Sequence, residues 1–203
     1  MFRRHDLDRD SLDFWRRQRR AAQRSRGRGR FPYGTSGNRA TIALIALLVL
    51  GLVLPYIVPL GTIAALPLGQ LWLALYSTVL PGSILGLVFV GLFVWMLGAQ
   101  LESLDATWKY LGLYFVSGTV GALAGFQFGA GLAGSLAAFG LAGGYAYVMW
   151  AHGWTDQAGV WRWVLGLLVL NALLSLLQPG WIVAMVTALV AGFAFAYMTR
   201  YGS

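Results

Sequence analysis

The chain is 203 residues long, 58% hydrophobic and only 11% charged, with a formal charge of +8. Soluble domains carry roughly 25% charged residues, so this balance excludes an ordinary soluble globular protein and indicates an integral membrane protein. With no cysteine, disulfide frameworks, thiolate nucleophiles and cysteine metal sites are excluded too.

In chain order, the first 39 residues hold 12 of the 15 basic side chains, and 1–39 reads as a basic cytoplasmic tail. Ser11-Leu12-Asp13-Phe14-Trp15 opens a run over 11–22 that suits a short interfacial helix, capped at Ser11, with Arg16, Arg17, Arg19 and Arg20 towards anionic headgroups. An Arg-rich solvated leader that only fixes topology fits the same residues. Arg26-Gly27-Arg28-Gly29-Arg30 is a Gly-rich basic linker, too short and isolated to imply nucleic acid, so the partner expected for the tail is anionic lipid. The apolar run from Ala40 is too long for the core of a cleavable signal peptide.

Residues 40–203 read as an all-α, polytopic membrane domain. A spanning helix needs about 20 apolar residues, which gives six spans at about 40–60, 81–98, 110–128, 131–150, 161–177 and 181–199. Pro81 is expected in the first turn of the second span, and Pro179-Gly180 as a minimal turn before the sixth. Trp150, Trp154, Trp161, Trp163 and Trp181 fall near span ends, as an aromatic belt does. The uncharged segment 61–80 is itself long enough to cross. Six crossings put Lys109, Arg162 and Arg200 on the side of the Arg-rich tail, whereas a seventh would put them opposite. Segment 61–80 is therefore read as a partly embedded outer loop with Trp72 and Tyr76 near the interface, and both termini as cytoplasmic. A Gly-, Ala- and Arg-rich chain without a eukaryotic targeting pattern points to a bacterial cytoplasmic membrane.

Between the second and third spans, 98–118 carries Glu102, Asp105 and Lys109, three of the six charged residues after position 39, and is expected to reach water. No ionisable residue falls at a predicted bilayer centre, which disfavours a proton relay or ion pathway. No cofactor and no metal site is expected. Small residues dominate instead: Gly121 and Gly125, then Gly134 and Gly140, then Ala184, Ala188 and Gly192. Such faces let helices approach closely in lipid, so the fourth span is expected to be central with the sixth against it.

The order of these residues resembles the rhomboid intramembrane serine proteases. Gln70-Leu71-Trp72 and Val94-Trp95-Met96-Leu97-Gly98-Ala99-Gln100-Leu101-Glu102 are similar to the family's loop tryptophan and its Leu-Trp-x-Phe-Gly-x-x-Leu-Glu segment. The segment 109–118, Lys-Tyr-Leu-Gly-Leu-Tyr-Phe-Val-Ser-Gly, is similar to its Arg-Phe-Leu-x-Leu-Tyr-x-x-Ser-Gly. Phe139-Gly140-Leu141-Ala142-Gly143 resembles its Phe-Gly-Leu-Leu-Gly, and 184–192 its sixth-span small-residue face. About half the chain is covered, in the family's order.

The resemblance implies a six-helix bundle in which a fourth-span serine is activated by a sixth-span histidine, with a His-x-x-x-Asn pair on the second span serving the oxyanion. This chain departs from that set. The His and Asn positions fall on Gly86 and Val90, with Pro81 where many members carry another histidine, and the base position falls on Met185. The serine falls on Ala133 if Gly131-Leu132-Ala133-Gly134 sets the register, or on Ser135 if Phe139-Gly140 does, the second register being the favoured one. His5 and His152 fall in the tail and a cytoplasmic turn. Resemblance and departures together imply a rhomboid-like pseudoprotease, a non-catalytic membrane protein that binds transmembrane helices or serves as a complex subunit. The alternative is a divergent active protease using Ser135.

Overall fold

The computed structural model describes residues 38–129, 135–152, 162, 165, 166, 169 and 179–202, all within one compact unit, 34–203. Arg16, Arg17, Arg19, Arg20, the interfacial run 11–22, Gly134 and most of the expected span 161–177 lie outside the described residues. Among the described residues every regular element is helical.

Helix α1, Arg39–Gly51, runs 13 residues, or about 20 Å. The expected continuous span 40–60 is not one helix. Pro55 sits in the first turn of the short helix α2, Leu54–Ile57, and Pro59 caps α3, Leu60–Ala64. Each proline lacks the N–H that would continue a preceding helix, so the chain turns twice where hydropathy alone reads one rod. The 61–80 segment is likewise more ordered than a loop. After Leu68, whose φ of 59° is left-handed, it forms α4, Gly69–Ser77. The Tyr76 hydroxyl donates to the Val58 carbonyl at 3.3 Å, tying α4 back to the end of α2.

Helix α5, Ile84–Phe93, starts later than the sequence suggests. Pro81 precedes it, Gly82 turns the chain at φ 74°, and Ser83 is the N-cap, accepting from the Gly86 N–H at 3.0 Å. A hydroxyl cap satisfies a first-turn donor that proline leaves untouched. The helix passes through a π-turn, Val94–Gly98, into α6, Ala99–Leu104. It ends six residues beyond the expected boundary at position 98, and Glu102 is helical.

Helix α7 is Thr107–Gln127, α8 is Ser135–His152 and α9 is Pro179–Met198. Pro179 opens α9 and is not part of a separate turn. At a first helical position its missing N–H has no partner to lose. Two stretches, Ile84–Leu104 and Gly180–Met198, are long and apolar enough to cross a membrane, while Arg39–Gly51 and Leu136–Ala151 are apolar but shorter.

Helix α9 packs on both α7 and α8, α8 packs on α7, and α4 lies against α7. Almost every described side chain from Leu136 to Val148 is buried, so α8 is the enclosed element. One apolar cluster gathers Leu44 and Leu48 of α1, Val90, Phe93 and Leu97, Tyr110 and Tyr114 of α7, and Leu141 and Val148 of α8. A second, smaller one joins Ala74 of α4, Ala122 of α7, Leu136 and Phe139 of α8, and Ala184, Met185 and Ala188 of α9. The Phe93 and Phe139 rings, 6.3 Å apart, bridge the two.

Candidate functional site

Of the positions at which the resemblance puts peptidase chemistry, Met185 and Val90 fall in apolar clusters. Met185 is 7% exposed and sits in the smaller cluster with Leu136, Phe139, Ala74 and Ala122. A thioether among aliphatic and aromatic groups fills space and offers no proton acceptor in the physiological range. Ser135 opens α8, and its side chain lies outside the described residues. Val90 is fully buried in the larger cluster, apart from Met185. Gly86 is half-buried, and a Cβ there would run into the Pro81 carbonyl, so no larger residue fits without moving backbone. His152 ends α8 with its side chain outside the described set, as is all of His5. Among the described residues, no group of His, Cys, Asp and Glu could hold a metal ion.

The small residues meet along a seam between α7, α8 and α9. A Cβ on Gly121 would stand 2.6 Å from the Ala188 Cβ and 3.0 Å from the Ala184 carbonyl. Gly192 faces the backbone of Gly140, its absent Cβ replaced by the Gly140 carbonyl, and Gly143 faces the Leu189 carbonyl in the same way. Backbone-to-backbone contact of this kind increases dispersion contact per residue, the attraction left to helices where water exclusion no longer drives them together. Ser117, fully buried, packs against Gly140 and donates to its own Leu113 carbonyl. Gly125 is buried on α7.

At the other end of α7 lies a polar knot that the sequence does not announce. Glu102, expected in water, is 7% exposed. One carboxyl oxygen accepts from the Ala40 N–H at 2.8 Å. The other accepts from the Thr41 N–H at 2.9 Å and the Thr41 hydroxyl at 2.8 Å. Asn38, the local N-cap of α1, gives no side-chain bond, so an acid from a helix some 60 residues on serves the donors that every helix start leaves unpaired. The arrangement needs Gly98, since a Cβ there would collide with the Tyr110 hydroxyl and stand 3.2 Å from the Thr41 Oγ1.

Asp105 continues the knot. Its side chain, 13% exposed, accepts from Lys109 at 2.7 Å, the Gly202 N–H at 2.9 Å and the Ala106 N–H at 2.7 Å. Burial pushes its carboxyl up, but these three hydrogen bonds and the Lys109 charge outweigh it and hold the group below the usual carboxylate range. Tyr201, fully buried, donates to the Leu101 carbonyl at 3.0 Å. Burial, then the Asp105 charge, raises its phenol well above the ordinary value, so it remains a donor. Asp105 and Lys109 pair at i, i+4, whereas the ties to Gly202 and to α1 join positions 97 and about 60 residues apart, and no local pattern records them. The lone acid at 102 in a long uncharged stretch was the available signal.

No protein-family model, no curated protein and no solved structure matches this chain.

Proposed function

We propose that the chain is a rhomboid-like pseudoprotease: a six-span, multi-pass protein of the bacterial cytoplasmic membrane, both termini cytoplasmic, that binds transmembrane helices of a partner or complex without cutting them. The observation that carries the reading is Met185 packed among Leu136, Phe139 and Ala184 at the position the family resemblance gives to the base. Without an acceptor the serine hydroxyl stays protonated, and loss of a general base alone removes about 10² to 10⁴ in rate. Gly86 adds weight, because the Pro81 carbonyl occupies the direction in which a histidine at that position would project. Two span-length apolar helices support residence in a membrane, and the basic tail supports contact with anionic headgroups.

The test is a gel assay with a fluorescent transmembrane substrate, run on the wild type beside Ser135→Ala. No cleavage by either is the expected result. Cleavage by the wild type that Ser135→Ala abolishes overturns the reading in favour of a divergent protease.

A further inference from the structure

We propose that the groove between the α3–α4 segment and α7 holds the acyl chain of a phospholipid. The inference rests on the membrane reading above and assigns a ligand to a part of the molecule which that reading leaves unused. The groove has a volume of about 520 Å³ and is lined by Ile63, Leu66, Trp72, Leu75, Tyr76, Val79 and Phe115. Its polar side-chain groups are the Tyr76 hydroxyl, hydrogen-bonded to the Val58 carbonyl, and the indole N–H of the half-exposed Trp72. Ile63 is 9% exposed, whereas Leu66 and Trp72 are each 48% exposed, which is the profile of an open trough with a covered floor. Away from Trp72 such a surface has no free charge for a phosphate, and hydrocarbon matches it.

Two further features choose a lipid chain over a helix from another protein. Close helix docking in lipid uses Gly, Ala and Ser faces, and here those residues are turned inward along the α7–α8–α9 seam. All seven lining residues are bulky, so a rigid rod about 10 Å across would touch only their tips, while a flexible chain follows the trough. The whole stretch from position 40 to 101 carries no charged residue, so the groove and both its flanks suit the same apolar medium. Trp72, half-exposed at the rim, is of the residue type that sits at the headgroup level, which places the open end of the trough where a phospholipid's chains begin.

The experiment uses the full chain reconstituted in phosphatidylcholine vesicles that contain phosphatidylcholine with a photoactivatable diazirine on one acyl chain. After irradiation, adducts are mapped by peptide mass spectrometry. Labelling at Leu75, Tyr76 and Phe115 is expected to exceed severalfold that at Ile84 and Leu85, which are 75% and 79% exposed on α5 and lie outside this groove. Leu75→Trp, which fills the trough from its exposed side, is expected to bring groove labelling down to the α5 level and leave the α5 adducts unchanged. Groove labelling equal to that of Ile84 and Leu85 overturns the proposal while leaving the membrane reading intact. Labelling below theirs overturns it in favour of a second copy or a partner helix seated there. No labelling of the α5 face at all sinks the membrane reading and the lipid site together.

Discussion

The seam between α7, α8 and α9 and the knot joining α1, α6 and the Tyr201–Gly202 end solve one problem by opposite means. Both hold helices together, one without polar groups and one through them. In the seam, Gly121 against Ala188 and Gly192 against Gly140 bring backbones into direct contact, and the hydroxyl of Ser117 turns back on its own helix. In the knot, contact is polar and long-range: Glu102 to Ala40 and Thr41, Tyr201 to Leu101, Asp105 to Gly202. The seam tolerates no added volume, and the knot tolerates no lost partner. Added volume in the seam is costly because nothing nearby can relax to absorb it, whereas a lost partner in the knot costs about what its hydrogen bonds contribute.

That contrast can be broken most forcefully at the seam. Gly192→Leu drives a side chain into the Gly140 carbonyl, and Ala188→Leu drives one into the face of Gly121. Each is expected to cost about 3 kcal/mol or more, read as a lowered thermal midpoint in mild detergent. A wild-type midpoint for both would mean that the seam does not hold these helices together.

Next in size is Glu102→Gln, which keeps volume but weakens the bonds to the first N–H groups of α1. About 2 kcal/mol is expected, seen as faster amide exchange at Ala40 and Thr41, while exchange within α9 stays unchanged. Tyr201→Phe removes one hydrogen bond from a buried ring and is expected to cost about 1 kcal/mol in chemical unfolding.

The smallest effect sharpens the comparison by pH. Because the Asp105 carboxyl is held below its ordinary range, the unfolded chain binds the proton more readily. The advantage of wild type over Asp105→Asn is therefore complete above the unfolded value of about 4 and lost as pH falls through the lower folded value. It amounts to no more than about 1 kcal/mol for a pair this near the surface. A stability difference that grows towards acid pH would reverse the assignment.

Sequence reading went furthest where a property is local. The long apolar runs pointed to helices, and those at Ile84–Leu104 and Gly180–Met198 are visible in hydropathy alone. Boundaries were less legible. Pro55 and Pro59 cut the first run short, and the Ser83 cap moved the start of α5 past Pro81, since hydropathy registers neither a missing N–H nor a capping hydroxyl. At the site, positions 86, 90 and 185 were singled out by the family resemblance, but why Gly86 admits no side chain depends on the Pro81 carbonyl beside it. Glu102 misled because an acid in an apolar chain reads as a marker of water, whereas a helix start can serve as its partner.

The π-turn at Val94–Gly98 carries a consequence for how this gene can vary. A single extra residue is accommodated there, and each helical residue turns the chain by about 100°. Deleting one codon anywhere in those five would turn the π-turn back into an α-turn and leave the helix downstream, with the acid at 102, on nearly the same bearing. Substitutions are not equally free along this stretch, since Val94 and Leu97 are fully buried and Gly98 has no room for a Cβ. A deletion among residues 99–101, whose α-turns hold no extra residue, would instead swing the acid by about 100° away from the start of α1.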